Sequence, residues 1–147
     1  MDIQQTLNEL LVGLFHDIMT IEEKVIREGM FKDVTVNDMH VMEAIGTEKS
    51  KNMSTVAKML GVTTGTLTIS VNSLVKKGYV ERVRSEEDRR VVLISLTSKG
   101  KTAFKTHQKF HDDMIQSIVG QLDEEEKKVL QKSLSKLNIF FKEQNSQ

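Results

Sequence analysis

The chain has 147 residues, 38% of them hydrophobic, no cysteine, and 21 basic side chains against 21 acidic ones. That is the size of one domain with a modest core, and without thiols there is no disulfide, thiolate metal site or thiol redox switch, so a cytoplasmic setting is expected. No apolar run approaches the ~20 residues of a membrane span, and Asp2, Gln4 and Gln5 argue against a secretory signal, so no membrane partner is expected.

Leu7, Leu10, Leu11, Leu14, Phe15, Ile18, Ile21 and Val25 recur mostly three and four apart, which predicts one long amphipathic helix over about 3–28, closed by Gly29. Thr35 is placed to cap a second helix carrying Val36, Met39, Val41, Met42 and Ile45, with Gly46 as its stop. A polar loop, Thr47 to Asn52, follows. A short helix from Met53 to Leu60 ends at Gly61, and Thr63 caps the next, which runs through Leu67, Val71, Leu74 and Val75 to Gly78. Two short helices joined by Gly61-Val62-Thr63 make a helix-turn-helix, with Val56, Ala57 and Leu60 expected to pack on Val62, Leu67 and Val71.

After Gly78 the period changes to that of strands. Tyr79 to Arg84 and Val91 to Leu96 are β-rich, and the polar tip Ser85 to Arg90 separates them as a hairpin, or wing. Thr97 then caps a helix reaching Gly120, and Asp123 with Glu126 three residues on forms a capping-box signature for a last helix bearing Val129, Leu130, Leu134, Leu137, Phe140 and Phe141. The fold class is mainly α with a small β wing: a winged helix-turn-helix between long terminal helices.

The zero net charge hides an uneven distribution. From Lys49 to Lys105 twelve bases stand against four acids (Glu81, Glu86, Glu87 and Asp88), a local charge of +8; the rest, nine bases and seventeen acids, carries −8. A basic centre between acidic flanks puts positive potential where phosphates of double-stranded DNA can dock. In a helix-turn-helix the second helix enters the major groove by its N-terminal half. There Thr64, Thr66, Thr68 and Asn72 can reach bases or phosphates, and Gly65 lets the backbone come close. β-Branched threonine is a mediocre helix former, which favours a contact role over a stability role. On the wing, Arg82, Arg84, Arg89 and Arg90 crowd a hairpin that also holds Asp88; arginine at such a tip suits a narrow, electronegative minor groove, and Asp88 can pair with Arg90. No Ser-His or Cys-His arrangement, glycine-rich phosphate loop or paired carboxylates are evident, so neither catalysis nor a cofactor is expected.

From Val34 to Gly100 the chain resembles the MarR family of winged-helix regulators, most specifically in Ser85-Glu86-Glu87-Asp88-Arg89-Arg90 and Leu96-Thr97-Ser98-Lys99-Gly100. The resemblance implies one domain over residues 1–147, with the winged helix-turn-helix lobe at about 34–98 and dimerisation helices at 1–30 and 99–145. It implies a homodimer on a roughly palindromic site, one recognition helix per half-site, and Arg90 in the minor groove. Within that family the chain is similar to repressors of bacterial fatty-acid synthesis in Glu22-Glu23, Phe31-Lys32-Asp33, Met39-His40, Glu81 to Val92 and Phe110-His111. That similarity implies long-chain acyl groups on acyl carrier protein as co-repressor. Phe15, Met19, Ile26, Met30, Phe31, Met39, Met42, Phe104 and Phe110 offer adaptable apolar surface for an acyl chain, or else ordinary core and interface. The alternative effector is zinc: His107 and His111 are four apart on one helix, and zinc-responsive members of the family use histidines at positions resembling these two and His40.

Overall fold

The computed structural model describes residues 1–146 and divides the chain into two compact units, Met1–His107 and Gln108–Gln147. In the first unit Ile3–Asn8 (α1), a π-helical stretch Glu9–Leu14 and Phe15–Glu28 (α2) run on without a break. One uniform helix is what the periodicity predicts. The adjacent apolar pairs Leu10–Leu11 and Leu14–Phe15 fit either winding, so spacing alone does not reveal the wider turn. Asp2 starts the run as a capping box, its carboxylate accepting from the Gln5 amide at 2.8 Å.

Helix α3 (Val36–Ile45) opens on a second capping box, Thr35 with Asp38, each side chain accepting from the other's amide at 3.0 Å. Helices α4 (Met53–Leu60) and α5 (Thr64–Lys77) are capped by Asn52 and Thr63. The left-handed backbone of Gly61 (φ +68°) turns the chain between them. Val56, Ala57, Leu67 and Val71 meet in the core with Leu60 packed against it. Val62 does not join them: it lies in the exposed turn, its amide donating to the Ala57 carbonyl at 3.0 Å.

Strands β2 (Val80–Arg84) and β3 (Val92–Leu96) form the hairpin, pairing from Val80 opposite Leu96 to Arg84 opposite Val92. Tyr79 and Val91 stand just outside it. The stretch expected as loop contributes a two-residue strand, Lys51–Asn52 (β1), which pairs with Ile94 and Leu93 to give an antiparallel sheet in the order β1-β3-β2. Two residues are too few to show alternation, which is why the sequence conceals it.

The start of α6 (Ser98–Val119) is tied to this sheet by a small set of atoms. The Thr97 hydroxyl donates to the Gly78 carbonyl at 2.6 Å and accepts from the Gly100 amide at 3.1 Å, while the Thr97 amide donates to the Tyr79 carbonyl at 3.0 Å. Gly100 packs against the Tyr79 backbone, where a Cβ would stand 2.1 Å from the carbonyl oxygen. Tyr79 itself is fully buried, its hydroxyl donating to Asp33 at 2.5 Å and its ring edge-on to Phe31. Burial, then the Asp33 contact, push the phenol's pKa up, and the same hydrogen bond holds the Asp33 carboxyl below its usual range.

The second unit holds the end of α6 and α7 (Glu124–Asn145), which begins on the expected Asp123–Glu126 capping box. Val129, Leu130, Leu134, Phe140 and Phe141 of α7 are exposed, as are Leu10, Leu11, Leu14 and Phe15 in the first unit. Among the described residues no helix is long and apolar enough to cross a membrane.

Two outcomes test this packing. Gly100→Ala drives a methyl into backbone that cannot move aside, and thermal unfolding should show a loss of about 3 kcal/mol. For Tyr79→Phe, urea unfolding at neutral pH should show a loss of about 1 kcal/mol, the net worth of one hydrogen bond. Because Asp33 has a folded pKa below its unfolded value of 3.8, that stabilisation is complete above it and fades as pH falls through the folded value. The parent should therefore lose more stability on acidification below about pH 4 than the phenylalanine variant does.

Candidate nucleic-acid interface

Helix α5 is fixed by its inner side, since Leu67, Val71 and Leu74 are buried and set which residues face out. Thr64, Gly65, Thr66, Thr68 and Asn72 are all exposed, so the candidate base-reading residues lie on the available surface of one helix. Their hydroxyls are not equally free to act. The Thr63 hydroxyl caps the Thr66 amide at 3.1 Å and donates to the Thr66 hydroxyl at 2.9 Å, and the Thr68 hydroxyl donates to the Thr64 carbonyl at 2.8 Å. Thr68 has thus committed its proton within the helix and retains acceptor capacity.

The wing residues fall into two groups. Arg82 on β2 hydrogen-bonds through Nη2 to the Asn72 side-chain oxygen, joining strand to α5, a link that sequence reading did not anticipate. Arg84 donates to the Arg89 carbonyl at 2.9 Å and so braces the tip from within. Asp88 and Arg90 make the expected pair: Nε and Nη2 of the guanidinium each lie 3.1 Å from a carboxylate oxygen, and the Arg90 amide donates to the same carboxylate. The Arg90 contacts hold the Asp88 carboxyl below the usual carboxylate range. An exposed ion pair of this kind does little for stability. It fixes the direction of the guanidinium on a side chain that is 90% exposed. Arg89, beside it, is exposed as well.

At the C-terminal end of α5, Lys77 is anchored rather than offered to a ligand. Lys77 donates to the buried Asp38 carboxylate at 3.0 Å, and Lys99 donates to the Lys77 carbonyl at 3.0 Å with its ammonium 4.4 Å from the centre of the Tyr79 ring. Lys51 is likewise occupied, donating to the Ala44 carbonyl at 2.9 Å. Several positive charges of the basic centre therefore hold the lobe together, while Lys58, Lys76, Arg89 and Arg90 remain at its surface.

The proposed effector residues are scattered in exposure. Met39 and Met42 are buried in the core, Phe31 and Phe104 pack against it, and Phe15, Met19 and Met30 are exposed. Phe110 lies in the second unit, its ring edge-on to that of His111 at 5.4 Å. Met30, Phe31 and Met39 line one small apolar pocket of about 40 Å³ with Val25, Ile26, Gly29, Thr106 and His107. Of the three histidines considered for zinc, His40 is exposed on α3, His111 is half-buried in the second unit, and His107 is buried. The His107 Nε2 lies 2.9 Å from Glu22 Oε1 and 3.1 Å from Glu43 Oε1. Glu43 was not singled out from the sequence, because nothing in the spacing connects it to position 107.

Comparison with known proteins agrees with this geometry. The sequence profile of the family described as transcriptional regulator SarA/Rot matches residues 29–107. The chain is 42% identical to the helix-turn-helix regulator SarZ of Staphylococcus saprophyticus over 69 residues, 47% of each chain. It is 31% identical to the regulator YfiV of Bacillus subtilis over 114 residues, 77% of this chain and 71% of that one. The matches to SarZ of S. saprophyticus and to BilQ of Clostridium symbiosum each span about half the length of those relatives, 47% in both cases. The structure of Streptococcus pneumoniae FabT in complex with DNA superimposes with a TM-score of 0.91 at 42% identity, covering 95% of this chain and 98% of that one.

The wing arginine gives a direct test. Arg90→Ala should weaken duplex binding across sequences and reduce the slope of log affinity against log salt by about 1 for each wing engaged. Asp88→Ala, which keeps the charge of Arg90 but frees its direction, should weaken binding less and leave the slope near the parent's. Fluorescence anisotropy across a salt series reads both, and thermal midpoints should stay at the parent's value.

Proposed function

We infer that this chain, which belongs to the SarA/Rot family of transcriptional regulators and is a DNA-binding winged-helix protein of MarR type, acts as a homodimeric repressor of fatty-acid biosynthesis genes. Its co-repressor in this reading is a long-chain acyl group carried on acyl carrier protein, and its setting is cytoplasmic. The relatives it matches are regulators rather than enzymes. The observation that carries the regulatory reading is the near-complete correspondence with FabT, a protein seen in complex with DNA. The fatty-acid reading rests on the likeness to fatty-acid-synthesis repressors and on the apolar pocket beside Phe31 and Met39.

Dimerisation is supported by the apolar side chains left exposed in each unit, along Glu9–Leu14 and α2 in one and along α7 in the other. Runs of this kind on a small chain mark a surface that another chain covers. A two-fold dimer presents two copies of α5 and two wings, which matches the symmetry of a palindromic operator.

The pocket also supplies a route from effector to DNA. Phe31 meets the Tyr79 ring edge-on, and Asp33, two residues on, holds the Tyr79 hydroxyl. Met39 follows Asp38, which holds Lys77 at the end of α5. A guest that displaces Phe31 and Met39 together therefore acts on both tethers of the recognition helix. At about 40 Å³ the pocket is far below the ~300 Å³ of an open ligand site, so an acyl chain enters only by moving these side chains. Methionine, unbranched and with three rotatable bonds, allows that.

A second reading, a zinc-responsive regulator, is favoured by one observation. His107, Glu22 and Glu43 bring an imidazole nitrogen and two carboxylate oxygens together, a donor set that zinc accepts. Glu22, Glu43 and His107, which stand on α2, α3 and α6, would hold such an ion.

One titration separates the readings. On a duplex from a fatty-acid-synthesis promoter, palmitoyl- or oleoyl-acyl carrier protein should tighten binding by about tenfold, a coupling of about 1.4 kcal/mol, while zinc has no effect. Met30→Lys, at the exposed edge of the pocket, should remove the acyl response and leave basal DNA binding intact. A response to zinc alone, lost in His107→Ala, overturns the acyl reading in favour of the metal. The homodimer is checked by sedimentation at micromolar concentration, where a monomer would refute it.

A further inference from the structure

We propose that Ile69 sets operator specificity by packing against thymine methyl groups in the major groove. The proposal rests on the DNA-binding reading of α5 and goes beyond it, because the threonines expected to read bases lie to either side of the centre of the outward face. With Leu67, Val71 and Leu74 pointing inward and each residue turning the helix by about 100°, the direction opposite the core is occupied by Gly65, Ile69, Asn72 and Lys76. Thr64, Thr66 and Thr68 lie to either side. Ile69 stands in the middle of that outward row and is 73% exposed.

A single exposed aliphatic residue is ordinary on a protein surface. This one is on the helix that enters the groove, in the half that comes nearest the bases. Its neighbours clear its approach: Gly65, one turn earlier, has no side chain, and a Cβ there would meet only the Thr63 hydroxyl at 3.9 Å. Asn72 on the following turn is already held by Arg82, and the Thr68 proton is already given to the Thr64 carbonyl. What this face presents at its centre is therefore apolar.

The chemistry of the groove then selects the partner. Among base edges in the major groove, only thymine shows an apolar group, its C5 methyl. Guanine, cytosine and the amino edge of adenine show hydrogen-bonding atoms that an isoleucine would desolvate without replacing their bonds with water. An Ile69 driven to the floor of the groove is thus satisfied by thymine and penalised elsewhere.

The test uses the full-length protein and a duplex that it selects from a randomised pool at low salt. Each thymine of that duplex is replaced in turn by deoxyuridine, which lacks only the methyl. For the parent, replacement at one thymine of a half-site should weaken binding about fourfold, and at the symmetry-related thymine as well about fifteenfold. For Ile69→Ala, which is exposed and a better helix former, the same replacement should have no effect while Arg90-dependent binding persists. A parent indifferent to deoxyuridine everywhere, or an Ile69→Ala variant as sensitive as the parent, overturns the assignment of Ile69 and leaves DNA binding standing. Failure of the parent to bind any duplex overturns both.

Discussion

The arrangement depends on the close approach of Gly100 to the Tyr79 backbone, with Thr97 bonded on both sides of it. Through these atoms the end of α5, the first strand of the wing and the start of α6 become one body. Tyr79 extends the same body to the segment before α3 through its hydroxyl bond to Asp33. Leu-Thr-x-x-Gly is therefore a packing requirement before it is a signature. Threonine supplies a hydroxyl that both donates and accepts, and glycine supplies the missing Cβ.

With that body fixed, the candidate DNA-facing groups need little further support. Arg82 reaches from β2 to Asn72 on α5, so helix and wing hold each other at the surface as well as at the root. Asp88 then directs Arg90. The result is a polar surface whose parts are set before any ligand arrives, and association does not have to order them. The local surplus of +8 between Lys49 and Lys105 does two separate jobs: Lys51, Lys77 and Lys99 hold helix ends and the Tyr79 ring, and the remaining charges are left to the solvent side.

Much of this was legible in the sequence, for identifiable reasons. Caps and stops at Thr35, Gly46, Gly61, Thr63, Gly78 and Asp123 are local chemistry, and each falls where the residue types place it. The Asp88–Arg90 pair is local too, spanning two residues. What the sequence hid is either too short or too distant to carry a pattern. Strand β1 has two residues, the Arg82–Asn72 link joins different elements, and Glu43 meets His107 across more than sixty positions. The outward position of Ile69 escaped for another reason. Residue type drew notice to the threonines, whereas direction follows from which neighbours are buried, and Val62 turned out to be exposed for the same kind of reason.

The π-helical stretch Glu9–Leu14 has a bearing on the N-terminal helix as a whole. A wider turn accommodates more chain per revolution, so the side chains of α1 are rotated about the axis relative to those of α2, by comparison with an unbroken α-helix. The aliphatic residues before and after that stretch then form two offset patches instead of a straight seam. Shortening the stretch by one residue would bring the two patches back toward a single line along the helix.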